Sequence, residues 1–215
     1  METKYRIGFL DSGVGGISVM MCAKRFLPDG EYIYYADTDH VPYGTKTKDE
    51  IISYTDAAVR CLISKGVDAV VIACNTATSV AASVMRERYP AIKIIGMEPA
   101  LKPAYTRHPD GNILVCATKA TIEGEKLHSL IESTGANPDL CVTSELVSFA
   151  EQGVFDGDDV RHYLDTVVAD HERYAAVVLG CTHFTFFREV FEHSFPNAEI
   201  IDGNIGAVRH LADVL

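Results

Sequence analysis

Short apolar runs recur along the chain at Tyr5–Leu10, Tyr32–Ala36, Ala69–Ala73, Ile92–Gly96, Ile113–Ala117, Leu140–Thr143, Ala175–Gly180 and Ala198–Ile201. They are too short for helices and rich in Val, Ile and Tyr, so the pattern predicts buried strands. Amphipathic stretches of helical length separate most of them: Val14–Phe26, Asp49–Ser64, Thr76–Arg88, Thr121–Ser133, Asp158–Asp170 and Phe186–Phe195. Apolar strands alternating with helices predict parallel sheets covered on both faces.

The pattern also repeats. Ala69-Val-Val-Ile-Ala-Cys74 matches Ala176-Val-Val-Leu-Gly-Cys181 at an offset of 107 residues. Tyr89-Pro90 then answers Phe195-Pro196, and Ile94-Ile95 answers Ile200-Ile201 at an offset of 106. The same offset lays Ile7–Leu10 on Ile113–Cys116 and Ser12 on Thr118. Any two βα units look alike in outline, but here the polar residues at the strand ends correspond too. The expected architecture is α/β: two similar parallel-sheet lobes related by a pseudo-twofold axis, with the active site in the cleft between them. Residues 1–97 form the first lobe, which 205–215 can rejoin, and 98–204 form the second. Met97–Asp110, with Pro99, Pro103 and Pro109, is the expected crossing segment.

Composition narrows the classes of function. The 215 residues are 47% hydrophobic and 23% charged, an ordinary globular mix. No apolar run reaches the ~18 residues that span a bilayer. The opening METKYRIGFLDSG lacks a signal peptide's layout, so the expected location is the cytoplasm. Net charge is −11, with no basic block, which disfavours nucleic acid and anionic membranes as partners. A small anion remains possible, because helix-start N–H groups bind anions without lysine. Six scattered cysteines form no CxxC, so neither a disulfide framework nor a zinc site is expected. Each thiol is by default a small buried hydrophobe.

Ligands of open α/β sheets bind at the carboxyl ends of the strands. Asp11-Ser12-Gly13-Val14-Gly15-Gly16 follows the first strand. It reads as a helix cap or as a turn that brings backbone close to a ligand. It is not GxGxxG, and no Walker lysine follows. Cys74-Asn75-Thr76 and Cys181-Thr182-His183 close two equivalent strands. A thiol feeding a helix N-terminus sits where negative charge is favoured. One such cysteine is as easily a core thiol; two at matching places can put one thiol on each face of a ligand. Thr118 and Thr121 offer hydroxyls for a carboxylate or for simple capping. The Asp37–Gly44 loop, with Tyr43 and Gly44, is either a site wall or an ordinary Pro-Gly turn.

Together DSGVGG (11–16), YYAD (34–37), PYG (42–44), ACNTAT (73–78), ATKAT (117–121) and LGCTHF (179–184) resemble the glutamate racemases of the aspartate/glutamate racemase superfamily, in order and over nearly the whole chain. The resemblance implies Cys74 and Cys181 as the catalytic thiols. It implies substrate contacts from Asp11, Ser12, Tyr43, Gly44, Asn75, Thr76, Thr118, Thr121, Thr182 and His183. It implies the making of D-glutamate for peptidoglycan, cell-wall biogenesis and cell shape, with no cofactor and no metal. The expected assembly is a homodimer. The chain departs from the family pattern where Thr185-Phe186-Phe187 replaces a usual proline. It departs again in Cys141–Glu151, which lacks the usual prolines, and at Gly124 and Leu127.

The implied chemistry needs a base on one face of the α-carbon and an acid on the other. By resemblance Cys74 serves the D isomer and Cys181 the L isomer. Asp11 is expected to assist Cys74 or meet the substrate ammonium, and His183 with Glu151 to assist Cys181. A racemase of aspartate or another acidic amino acid, an impaired ligand-binding homologue, and a phosphate- or nucleotide-binding module are the alternatives.

Overall fold

The computed structural model describes residues 4–215. The leader reading above falls partly on residues 1–3, outside that range. The elements run β1 (Tyr5–Asp11), α1 (Ile17–Phe26), β2 (Gly30–Ala36), α2 (Lys48–Ser64), β3 (Ala69–Ile72), α3 (Asn75–Arg88), β4 (Lys93–Gly96) and α4 (Leu101–Arg107). They continue with β5 (Asn112–Ala117), α5 (Lys119–Ile122), α6 (Glu125–Thr134), β6 (Asp139–Val142), α7 (Glu145–Glu151) and α8 (Asp158–Val167). The last are β7 (Tyr174–Leu179), a 3-10 segment (Thr182–Phe187), α9 (Arg188–Ser194), β8 (Glu199–Asp202) and α10 (Asn204–Val214).

The chain divides into two compact units: residues up to Glu98 with Asn204–Leu215, and Pro99–Gly203. The first holds a parallel sheet of order β2-β1-β3-β4 and the second a parallel sheet of order β6-β5-β7-β8. The orders are identical once β1 is matched to β5, so each unit repeats one topology. In each the order reverses between the central strands, β1 and β3 or β5 and β7. That reversal is where such sheets leave a crevice for a ligand.

Burial explains the continuous apolar strands. Leu10, Val70 and Ile72 face Ile51, Val59 and Leu62 of α2 and Ala82 and Met85 of α3. Ile7, Phe9 and Val71 face Val19 and Ala23 of α1 and Val208 and Leu211 of α10. Both faces of β1 and β3 are therefore shut from water, and alternation is lost. α2 starts at a capping box in which Thr47 Oγ1 accepts from Glu50 N at 3.3 Å while Glu50 Oε2 accepts from Thr47 N at 2.8 Å. In the second unit Val115, Ala117, Ala176 and Val178 pack with Leu101 and Ala104 of α4 and Leu127 of α6.

The boundary between the units, at Glu98/Pro99, falls inside Met97–Asp110. That segment also contains α4, and Pro103 sits in the helix's first turn, where a missing N–H breaks no bond. Two local expectations need correction. The run 121–133 is two helices, because Glu123 ends α5 and Gly124, in extended conformation, starts α6. The segment after Cys181 starts as 3-10 turns, with α9 only from Arg188.

Candidate active site

In the first unit the ends of β1 and β3 lie side by side, with Ala73 N donating to Leu10 O at 2.8 Å. This brings Asp11 and Ser12 beside Cys74. Cys74 is the N-cap of the 14-residue α3, and its Sγ accepts from Ala77 N at 3.4 Å. Ser12 Oγ lies 3.7 Å from the same sulfur. A backbone N–H and the start of a helix both favour negative charge at Sγ. Asp11 is fully buried, and its Oδ1 accepts from Gly13 N at 2.9 Å. Gly16 is required here: a Cβ would stand 2.8 Å from Asp11 Cβ and 2.9 Å from Ala73 Cβ. Asn75 and Thr76 open α3, both buried, and Asn75 Nδ2 donates to Met97 O at 3.3 Å.

Tyr43 is buried, with half-buried Gly44 beside it. Its hydroxyl donates to Asp37 Oδ2 at 2.6 Å, and Asp37 Oδ1 meets His40 Nδ1 at 2.8 Å. Burial pushes the Tyr43 hydroxyl far above its ordinary pKa; the Asp37 hydrogen bond, the Asp37 charge and Cys74 add to it. Asp37 N in turn donates to Asp11 O at 3.0 Å, which ties the loop to β1. Asp37, His40 and Tyr34, whose hydroxyl donates to Gly13 O at 2.7 Å, are not among the residues assigned by sequence. The available signal was Asp37 and His40 three apart in the loop that carries PYG.

The second unit assembles the matching set at β5 and β7. Cys181 is buried at the end of β7. Gly180 N donates to Cys116 O at 2.7 Å, an approach that a Cβ, 3.0 Å from that oxygen, would crowd. Cys181 Sγ lies 3.8 Å from His183 Nδ1, and His183 Nε2 meets Glu151 Oε1 at 2.5 Å. His183 is buried, whereas Glu151 is half-buried at the end of α7. Thr118 caps α5, its Oγ1 accepting from Thr121 N at 3.4 Å and lying 3.0 Å from Thr121 Oγ1. Thr182 is buried beside Cys181. Thr182 opens 3-10 turns and α5 has four residues, so neither provides the extended helix start that α3 provides.

Each unit thus presents a thiol and a hydroxyl at the strand ends flanking its order reversal, with a carboxylate from Asp11 at the end of β1 in the first and from Glu151 at the end of α7 in the second. The Asp/Glu/Hydantoin racemase family model matches residues 18–211. The chain belongs to that family. Known members are close in sequence. A glutamate racemase of Halothermothrix orenii is 47% identical over 98% of this chain and 85% of its own length. One of Clostridium perfringens is 45% identical over 95% and 81%. Among solved structures, glutamate racemase of Campylobacter jejuni subsp. jejuni superposes with a TM-score of 0.86 at 30% identity, covering 98% of this chain and 86% of that one. The Escherichia coli glutamate racemase, solved with L-glutamate and the activator UDP-MurNAc-ala, gives 0.88 at 30% identity, covering 97% and 81%. As a member of this family the chain is an isomerase of the racemase class. Among the described residues no helix is long and apolar enough to cross a membrane.

Proposed function

We propose that this chain interconverts L- and D-glutamate by two-thiol proton transfer without a cofactor, in the cytoplasm and as a homodimer, supplying D-glutamate for peptidoglycan. One observation carries the chemistry: the two strand-end thiols hold equivalent places in a duplicated topology, Cys74 at a helix start with a main-chain N–H on its sulfur and Cys181 beside the His183 imidazole. The glutamate racemases at 42–47% identity support the substrate.

In this reading Cys74, as thiolate, removes the α-proton of D-glutamate. Cys181, as thiol, delivers a proton to the opposite face and yields the L isomer. The reverse reaction exchanges the roles. His183 Nδ1 accepts the Cys181 proton when that sulfur acts as base and returns it when the sulfur acts as acid. Glu151 fixes the imidazole through Nε2, which leaves Nδ1 turned to sulfur. Asp11 meets the substrate ammonium or assists Cys74. Negative charge that grows on the substrate carboxylate is met by N–H groups at the start of α3 and by Asn75, Thr118, Thr121 and Thr182. Ser12, Tyr43, Gly44 and Thr76 complete the pocket around the substrate.

The test follows circular dichroism of L-glutamate and, separately, L-aspartate with purified protein in chelator and without pyridoxal phosphate. The L-glutamate signal should decay to zero while L-aspartate persists. A glutamate signal that stays constant, or decays only after metal or pyridoxal phosphate is restored, would overturn the reading.

A further inference from the structure

Two thiols lie outside this site, facing each other. Cys116 is the fifth residue of β5, and the register of the β5–β6 pair sets it opposite Cys141. Register partners in a parallel pair send their side chains to the same face, and their α-carbons stand about 4.8 Å apart. That lies inside the roughly 4.4–6.8 Å over which a disulfide closes. Cys116 is completely buried, whereas Cys141, on the edge strand β6, is partly open to solvent. Cys141 Sγ donates to Val167 O at 3.5 Å. The neighbouring Cys141 thiol, together with burial, pushes Cys116 well above the ordinary thiol range. Cys116 in turn holds Cys141 below that range.

Cys116 is also wired to the site. Its carbonyl oxygen accepts from Gly180 N at 2.7 Å, and Gly180 immediately precedes Cys181. Thr118 follows it by two residues. Just beyond the pair, Thr143 N donates to Ala117 O at 2.9 Å, and Thr143 leads into α7, which ends at Glu151. Lys119 N donates to Ser144 Oγ at 3.1 Å across the same two chain segments.

We propose that Cys116 and Cys141 are a redox pair that closes to a cross-strand disulfide on exposure to a hydroperoxide, and that closure slows racemisation by shifting the β5 and β6 ends. The Cys141 thiolate attacks one peroxide oxygen, the O–O bond breaks, and Cys141 becomes a sulfenic acid as hydroxide leaves. Cys116 gives its proton to that hydroxide and attacks the Cys141 sulfur. The S–O bond breaks, the S–S bond forms and water leaves once the departing hydroxide is protonated. Two thiols lose two electrons in all, and one hydrogen peroxide becomes two waters. A transient bond of this kind is compatible with a reducing compartment, where a thiol reductant reverses it.

The effect on racemisation rests on the proposed function; formation of the disulfide does not, and the two are read separately. Wild-type protein is treated with stoichiometric hydrogen peroxide under saturating glutamate, which shields Cys74 and Cys181. Remaining thiols are alkylated and a non-reducing peptide map is taken by mass spectrometry. The proposal expects a peptide pair joined through Cys116 and Cys141. Racemase activity should fall roughly tenfold, because small misplacements of reacting groups are costly, and return with dithiothreitol. Cys141→Ser, a change at a partly exposed edge position, should keep its activity before treatment and show neither the link nor the reversible loss. Oxidation of other cysteines with Cys116 and Cys141 still unlinked would overturn the pair. A linked protein with unchanged activity would overturn the coupling.

Discussion

The Cys74 end and the Cys181 end share a strand topology and a thiol, but they surround the thiol differently. Cys74 caps a helix of 14 residues and takes a hydrogen bond from main-chain N–H. Cys181 opens a 3-10 segment, makes no side-chain cap bond, and lies against the buried His183 with Glu151 behind it. At the first end a main-chain N–H reaches the sulfur, with the Ser12 hydroxyl 3.7 Å away. At the second an imidazole backed by a carboxylate lies against the sulfur. A duplicated fold can therefore keep a thiol in place while changing what supports it.

The largest effect expected is on the thiols themselves. Cys74→Ala and Cys181→Ala should each remove racemisation almost entirely, at least about 10³-fold, since in the proposed mechanism each deletes a proton-transfer group. A folded alanine variant within tenfold of wild type would take that end out of the comparison. The next effect separates the ends. His183→Asn should lower kcat by about 10²-fold with little change in KM, and Glu151→Gln by about tenfold, because the carboxylate only orients the ring. Steady-state kinetics with both enantiomers reads both. If Glu151→Gln were as damaging as His183→Asn, Glu151 would be more than an orienting group.

Ser12→Ala is expected to cost only a few-fold, about 1 kcal/mol or less, because the backbone N–H of Ala77 remains on the Cys74 sulfur. A loss as large as that of His183→Asn would show that the Cys74 end also depends on side chains. The smallest effect is on stability. Asp56 fastens α2 to the far end of α3 through Arg88 and Tyr89, at 2.8 and 2.7 Å. Burial pushes its carboxyl up, but those two hydrogen bonds and the charges of Arg88 and Arg60 outweigh it and hold the pKa below the ordinary value. A group lowered on folding stabilises at pH above its unfolded pKa of ~3.9, and the contribution is lost as pH falls through the folded value. Asp56→Asn should therefore lower stability near neutral pH by about 1 kcal/mol, discounted for screening near the surface. The difference should shrink in acid denaturant titrations as pH falls below ~3.9 and vanish once the carboxyl is protonated in both states. A constant difference across that range would assign the effect to packing.

Much of this was legible in the sequence because it lies in strands and their ends. Strands buried on both faces cannot hide their apolar runs, and the polar residues that follow, at 11–12, 74–76, 118 and 181–183, stand out against them. The family was legible for the same reason, since its motifs are those strand ends. Short helices were not. Pro103 looks like a breaker, yet in a first turn it costs nothing, so the pattern does not announce α4 inside the crossing segment. α7 is seven residues long, too short for a periodic signal, although it carries Glu151. The 3-10 form after Cys181 depends on tertiary packing of Phe184 and Phe187, both fully buried, which no local pattern reports. Asp37 escaped because its role is to hold Tyr43 and Asp11, and such support is visible only once the loop is folded.

The measurement that bears most directly on two unlike ends doing one reaction is α-proton exchange in heavy water, followed by NMR from each enantiomer with one thiol weakened at a time. Serine is a far poorer base than thiolate. Cys74→Ser should suppress exchange from D-glutamate more than from L-glutamate, Cys181→Ser should show the opposite bias, and racemisation should be severely reduced in both. A folded serine variant that exchanges both enantiomers equally and still racemises at the wild-type rate would contradict the account.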